Sequence, residues 1–396
     1  MGDRHHVVIA GGGVAALEAA LALRELASEL VTVEIVAPET NFTYRPLAVA
    51  EPFRVAELRT FPLAALVEAA GASLRVAGAT AVVPERRALL TTAGEVAYDS
   101  LLIGVGAKPR EAVPGALTFR GAEDVRRVDA ILHDAALGRL ERIVFALPGG
   151  AGWPLPLYEF ALLTRAELVD RGMTSVEIVL VTPEERPLAV FGAAASEAIA
   201  DLLEIRGIEL RTHETPLHFA DGALHVAPDG AVAADCVIAL PRLEGPRLEG
   251  VAYDAQGFIP TNDHGRVTGE VDVYAAGDAT TFPLKQGGIA AQQADAAAAA
   301  IAEQAGADVE PEPFRPVLRG LLLTGMVPRF LRAEAASGRS VADTEPLWWP
   351  PAKIVGKHLA PFLAEHLGLS HVFGEPPQGV SVDITLEEAP APTSST

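Results

Sequence analysis

Uninterrupted apolar runs that break into glycine recur along the chain. Val7–Ala10 carries no polar alternation, meets Gly11, Gly12 and Gly13, and passes into "VAALEAALALREL". A run of this kind fits a strand buried on both faces of a parallel sheet, followed by a turn and a helix. "LVTVEIVAPE" (30–39) and "YDSLLIGVGAKP" (98–109) are two more such strands. The succession then starts again. "ERIVFALPGGAG" (141–152) is a strand running into glycines, "LYEFALLTRAELVDRG" (157–172) a helix with Gly172 placed to end it, and "SVEIVLVTPEERP" (175–187) a strand. Val-x-Pro-Glu closes a strand at 36–39 and again at 181–184. A further buried strand ends at "AGDA" (276–279), before the alanine-rich helix "AAQQADAAAAAIA" (290–302).

This pattern predicts an α/β protein with two Rossmann-like, three-layer halves and a C-terminal region. The expected limits are 1–115 with 241–305 for the first half and 116–240 for the second. Residues 306–380 form the C-terminal region, and 381–396, rich in Pro, Ser and Thr, form a disordered tail.

Charge separates that C-terminal region from the rest. The chain of 396 residues has a net charge of −21, which speaks against nucleic acid as a partner. Residues 314–371 nevertheless hold 7 basic and 4 acidic residues, a local +3. There Ile354, Val355, Leu359, Phe362, Leu363 and Leu367 make an apolar stripe, with Lys353, Lys357 and His358 off it, and Trp348 and Trp349 stand nearby. A membrane-surface contact is one reading of this mixture; a helix packed on the core or a dimer interface is the other. With no signal segment or membrane span in the sequence, the expected location is cytoplasmic, with peripheral contact to the inner membrane face as the variant. Cys236 is the single cysteine, so neither an intramolecular disulfide nor a dithiol relay is available. The ten histidines show no metal-ligand spacing.

The candidate chemistry begins at Gly11-x-Gly13-x-x-Ala16. Gly11 allows the tight turn, Gly13 lets backbone approach a pyrophosphate at the helix N-terminus, and Ala16 permits close helix–strand packing. A ribose-holding acid belongs at the end of the second strand. Spacing selects Glu34, but the apolar run continues past it, which moves the choice to Glu39. In the second half, aligning Glu159 with Glu18 sets Gly152 on Gly11, Pro154 on Gly13 and Leu157 on Ala16. Proline has no N–H to offer a phosphate, and Pro156 sits in the first turn, where it is tolerated. Gly149 and Gly150 are the alternative turn for a dinucleotide.

Taken together, Gly11/Gly13, "LLIGVGAKP" and "VYAAGDA" resemble the FAD-dependent pyridine nucleotide-disulfide oxidoreductase superfamily over about residues 5–305. "NFTYRPLAVAEPF" and "LWWPPAKIVGKHLAPFLAEH" are similar to its branch of sulfide:quinone oxidoreductases, flavocytochrome c sulfide dehydrogenase and type II NADH dehydrogenases. The resemblance implies FAD, with Gly277 and Asp278 at its ribityl and phosphate region and Gly106 beside it. It also implies contacts from Tyr44, Arg45 and Pro46, and backbone groups of Gly288 and Ile289 at the flavin. For Arg45 the alternative is a surface salt bridge. The middle motif departs from the family's Ala-Thr-Gly, reading Gly104-Val105-Gly106. Cysteine-based sulfide chemistry does not carry over. Glu159 is placed by the resemblance where flavin and nicotinamide meet, there to orient a donor or pair with a lysine such as Lys285; a solvated helix glutamate is the alternative. The expected function is electron transfer from a small donor, NAD(P)H included, through flavin to a quinone or other small acceptor. A flavoprotein without turnover, serving as a binding module, is the second reading.

Overall fold

A computed structural model describes residues 4–335 and 337–366. The expected disordered tail at 381–396 and Leu367 of the apolar stripe lie outside the described residues. Two five-stranded parallel sheets organise the chain. The first has the order Val273–Ala275, Ser100–Ile103, His5–Ala10, Val31–Ala37, Ser73–Val76. The second has the order Leu117–Thr118, Cys236–Ala239, Arg142–Ala146, Glu177–Val181, Ile208–Arg211. The central strands are sealed on both faces: Val7, Val8, Ile9 and Ala10 in one, and Ile143, Val144, Phe145 and Ala146 in the other, expose nothing. This is why neither sequence run alternates.

The repeat extends past the sheets. Each central strand feeds a helix, Val14–Ala27 or Leu155–Asp170, and then its neighbouring parallel strand. Each half also carries a three-stranded antiparallel insertion, from 79 to 97 in the first and from 215 to 233 in the second. Gly172 does end the second of these helices: it is left-handed at φ +75°, and Met173 N–H reaches back to the Leu168 carbonyl. The chain crosses between halves at the antiparallel pair Lys108–Arg110 with Arg242–Glu244.

The C-terminal region clasps both halves. Its antiparallel sheet, Val317–Leu322, Arg329–Glu334 and Ser340–Asp343, sends Leu318, Leu322 and Leu331 into the core of the second half beside Tyr158 and Phe160. Its helix, Leu359–His366, sends Leu359 and Leu363 into the core of the first half, where the alanines of Val14–Ala27 meet those of Gly287–Gln304. The apolar stripe therefore faces inward. Ile354, Val355, Leu359 and Leu363 are buried and Trp348 is packed edge-on against Phe330, which corrects the reading of stripe and tryptophan as a membrane surface. Among the described residues no helix is long and apolar enough to cross a membrane.

A buried polar cluster holds that terminal helix. Glu18, fully buried, accepts the N–H groups of His358 at 2.7 Å and Leu359 at 2.8 Å. These amides open the helix, where a carboxylate also meets the favourable end of the dipole. Asp295 lies alongside, and one polar atom each from Glu18, Asp295 and His358 falls within 4.8 Å of the others. Both oxygens of Glu18 are engaged by backbone, so the grouping acts as a capping device, with Asp295 Oδ1 buried and without a hydrogen-bond partner. Lys357 and His358 extend it to Glu25 at 3.7 and 3.3 Å. Burial and then Glu18 push the Asp295 carboxyl well above its ordinary range. The folded chain thus keeps a proton that the unfolded chain gives up near the usual carboxylate pKa. The stability it lends is complete below that value and is lost as pH rises through the raised one. Asp295→Asn needs no proton there. Its melting temperature should gain on the wild type's as pH rises above the ordinary carboxylate range; a gap that stays constant with pH would contradict the raised Asp295 pKa.

Candidate active site

The glycine turn of the first half is built as its sequence requires. Gly11 adopts φ +119°, and a Cβ there would lie 2.3 Å from the Gly104 carbonyl oxygen. Gly13 is the N-cap of Val14–Ala27 and caps it with no side chain; a Cβ on it would meet nothing within 4 Å. Open space thus fronts uncapped helix amides, as an anion-binding turn demands. Ala16 is fully buried, and Gly104 packs against its backbone nitrogen. Gly106, left-handed at φ +73°, turns the chain at the same end of the sheet. Glu39 is exposed just past the strand Val31–Ala37. Glu34 instead sits within that strand, committed to Arg75 at 2.7 Å and His6 at 3.6 Å.

Asp278 stands in the short turn Gly277–Ala279, after the edge strand. Burial raises its pKa, with Lys285 and then Arg45 opposing the rise. Its carboxylate has no hydrogen-bond partner among the described residues, so its acceptor capacity is intact. Arg45, exposed in the turn Arg45–Leu47, makes no ion pair among the described residues, which sets aside the surface salt bridge. The Tyr44 hydroxyl accepts the Ile354 N–H at 2.9 Å and is pushed up to about 12, chiefly by burial. At the N-terminus of Gly287–Gln304, Gln286 caps the helix by accepting the Ile289 N–H at 2.9 Å. That amide, expected at a cofactor, is therefore already engaged, which leaves those of Gly287 and Gly288.

A cavity of about 210 Å³ opens beside this helix end. Arg45, Pro46, Trp153, Glu159, Lys285 and Lys353 lie in its wall with Gly287 and Leu321. Four of these were candidates from sequence. Lys353 and Trp153 were not. Glu159 is fully buried, not solvated, and its partner is Lys353, whose Nζ lies 2.5 Å from Oε1, in place of the expected Lys285. Leu323 N–H donates to the same oxygen at 2.8 Å, while Oε2 is buried with no partner. Burial raises the pKa of the carboxyl, and Lys353 offsets only part of the rise. Lys285 is held elsewhere because its stem passes Gly152, where a Cβ would lie 2.5 Å from its Cγ. Its Nζ donates to the Thr280 carbonyl and lies 3.9 Å from the Phe258 ring centre. Burial brings its pKa down to about 8, against the pull of Asp278 and Asp254.

In the second half a proline stands where Gly13 stands in the first, although a Cβ on Gly150 would meet nothing within 4 Å. Pro154 occupies the N-cap of Leu155–Asp170, the place Gly13 holds in the first half, with Pro156 in the first turn. Trp153 packs on Phe191 at 5.7 Å. Gly149 and Gly150 form a tight turn closed by Ala151 N–H to the Pro148 carbonyl, with Gly150 at φ +76°. Glu184, the counterpart of Glu39 by the repeated Val-x-Pro-Glu, is taken by the Tyr158 hydroxyl at 2.6 Å and by Thr182 Oγ1 at 3.0 Å. Cys236 lines neither this turn nor the cavity, and burial pushes its thiol up to about 11.

The sulfide-quinone reductase of Aquifex aeolicus is 26% identical over 269 residues, 63% of this chain and 61% of that protein. Human apoptosis-inducing factor 3 is 29% identical over 203 residues, 47% of this chain and 30% of its own length. The chain thus spans less than two thirds of either relative. In solved structures, the Aquifex aeolicus sulfide:quinone oxidoreductase superposes with a TM-score of 0.78 at 20% identity over 86% of both chains. A ferredoxin reductase from Rhodopseudomonas palustris gives 0.64 at 17% identity, over 84% of this chain and 83% of its own. At such identities the superpositions establish the fold. The family model for pyridine nucleotide-disulphide oxidoreductases matches residues 5–303, taking in both parallel sheets and the alanine helix. The paired halves, one with Gly13 and one with Pro154 at the helix N-cap, are thus a variation within that family of flavin-dependent oxidoreductases, and the chain belongs to it.

Proposed function

We propose that the chain carries two electrons between a small donor and a small acceptor, a quinone-sized ring being the best fit, at the cavity walled by Glu159, Lys285 and Lys353. The observation that carries this reading is Glu159: a fully buried carboxyl, paired on one oxygen and unpartnered on the other, in the wall of a cavity beside the helix end at Gly287. Such a group is costly to keep buried unless it holds or moves a proton.

The residues of the first half fit FAD on the structure's own terms. The open Gly13 cradle suits a pyrophosphate, Glu39 a ribose, and the unpartnered Asp278 a chain of hydroxyl donors. Gly11, Ala16, Gly106, Gly277 and Gly288 give the backbone its approach, with Tyr44, Arg45 and Pro46 at one side. Bound FAD would supply the two-electron exchange. The chain's own residues would do the rest. Arg45 and Lys285 set positive charge near Asp278, and Lys353 fixes the orientation of Glu159. Glu159 Oε2 is the atom that holds or releases a proton toward a small ligand in the cavity. No cysteine relay takes part. Met326 and Val327, 71% and 54% exposed, are the apolar side chains of 314–366 left for peripheral contact with a membrane or a second copy.

The second half supports a donor other than NAD(P)H. Pro154 has no N–H for a phosphate, Trp153 beside it packs on Phe191, and Glu184 is already hydrogen-bonded. Under anaerobic titration neither NADH nor NADPH should bleach the flavin absorbance band within many turnovers' time, whereas photoreduction should; prompt bleaching by either nucleotide would reverse this assignment. Lys353→Met strands the Glu159 charge and should cost roughly 3–5 kcal/mol of stability. Adding Glu159→Gln should restore much of it, which paired denaturation curves would show. Turnover should fall as pH rises through about 8, where Lys285 loses its charge. In Lys285→Arg, which stays cationic, that inflection should vanish from the pH–rate profile.

A further inference from the structure

Arg319 has no part in the chemistry proposed above. It lies on the strand Val317–Leu322 and is 9% exposed, yet its guanidinium makes no hydrogen bond or ion pair with any described residue. Its backbone is fixed, since its carbonyl accepts Gln286 Nε2–H at 2.9 Å. Its cross-strand neighbour is a second arginine: the antiparallel register sets Arg319 opposite Arg332. Arg332 donates to Glu334 Oε1 at 2.7 Å, but its Nε is buried with no partner. Burial first, and Arg332 second, bring Arg319 down to about 10, and Glu334 is the carboxylate that opposes them. Two adjacent guanidinium groups thus stand with one carboxylate at a half-buried place, since the Arg332 and Glu334 side chains are 31% and 18% exposed. A cation set into a fold without a partner is costly unless something from solvent answers it.

Strand geometry defines the surroundings. Side chains alternate, so Val317, Arg319 and Leu321 share a face with their opposite numbers Glu334, Arg332 and Phe330. Leu318 and Leu322 point the other way, into the second-half core. Two residue pairs along the ladder from the arginines, on the same face, Phe330 and Leu321 pack with Trp348 and Val355. The arginine pair is therefore a donor-rich floor with an apolar wall at one end.

We propose that Arg319 and Arg332 form a binding site for an oxyanion group, a phosphate or a carboxylate. Two planar forks side by side match a group that offers several acceptor oxygens. A neutral ligand would leave the charge unanswered, and a halide would leave most of the directed N–H groups idle. The group can come from a free small anion or from an anionic lipid headgroup.

Thermal melts of the full chain in inorganic phosphate, against chloride at equal ionic strength, test the first source. The melting temperature should rise saturably by about 3 °C. Cosedimentation with phosphatidylglycerol vesicles, against phosphatidylcholine vesicles, tests the second. Arg319→Met should abolish whichever response the wild type shows. It should also melt no lower than the wild type in chloride, because it removes an unpaired buried charge. Arg319→Lys, which keeps the charge and loses the fork, should weaken the response. A phosphate response dependent on Arg319 supports a free anion as the occupant. Vesicle binding dependent on Arg319 without a phosphate response supports the headgroup. The proposal is overturned if neither response occurs, or if the response is unchanged in both Arg319 variants.

Discussion

Two buried glutamates hold the C-terminal segment across the molecule, and the candidate site depends on that hold. Glu18 and Glu159 occupy the same place, the fifth residue, in the helices that follow the two central strands. Both are fully buried, and each engages the C-terminal region. Glu18 accepts the backbone N–H groups that open the terminal helix, and Glu159 takes Lys353 and the Leu323 N–H. Between the two anchors the Ile354 N–H meets Tyr44, and a Cβ on Gly356 would lie 2.2 Å from Glu18. A carboxylate buried on a helix is unfavourable without strong donors. The C-terminal segment brings those donors, so its docking and the burial of both glutamates form one event. Ile354, packed on Gly287, is thereby fixed against the helix end that borders the cavity.

The same repeat that makes the halves alike shows where they part. Gly13 and Pro154 are both helix N-caps, but one leaves amides facing open space and the other removes a donor and adds a ring. At the strand ends the difference recurs. Glu39 is exposed, while Glu184 is drawn back by Tyr158. Tyr158 is itself buried, and its hydroxyl also accepts the Leu188 N–H, so withdrawing Glu184 toward a ligand would strand several polar groups. The second half also contributes Glu159 and Trp153 to the cavity wall.

Much of this was legible in the sequence because it is local. Strand–glycine–helix order, the Val-x-Pro-Glu echo, the Gly172 helix end and the preference for Glu39 over Glu34 all follow from short-range pattern. The pairing of Glu159 was not legible, because its partner lies 194 residues away on an irregular segment. Lys353 read as a surface lysine beside an apolar stripe, whereas the stripe turns inward and takes the lysine with it. A usable signal did exist. Glu18 and Glu159 align as acids inside otherwise apolar helices, and two buried acids require two sets of donors. The engagement of Ile289 by Gln286 was equally out of view, since an N-cap is recognised from a helix start that the alanine run did not locate.

Charge narrows what such a site accepts. The chain as a whole carries −21, a field that disfavours the approach of anions at long range. The cavity wall runs against that field: Arg45, Lys285 and Lys353 outnumber Glu159, with Asp278 close behind. A neutral ring can enter such a space without giving up solvation of its own charge, and it finds cations positioned for the negative charge that develops on reduction. The two halves differ most at the backbone, where Pro154 has no N–H at the place that Gly13 holds in the first half, so the positive end of that helix is one donor short.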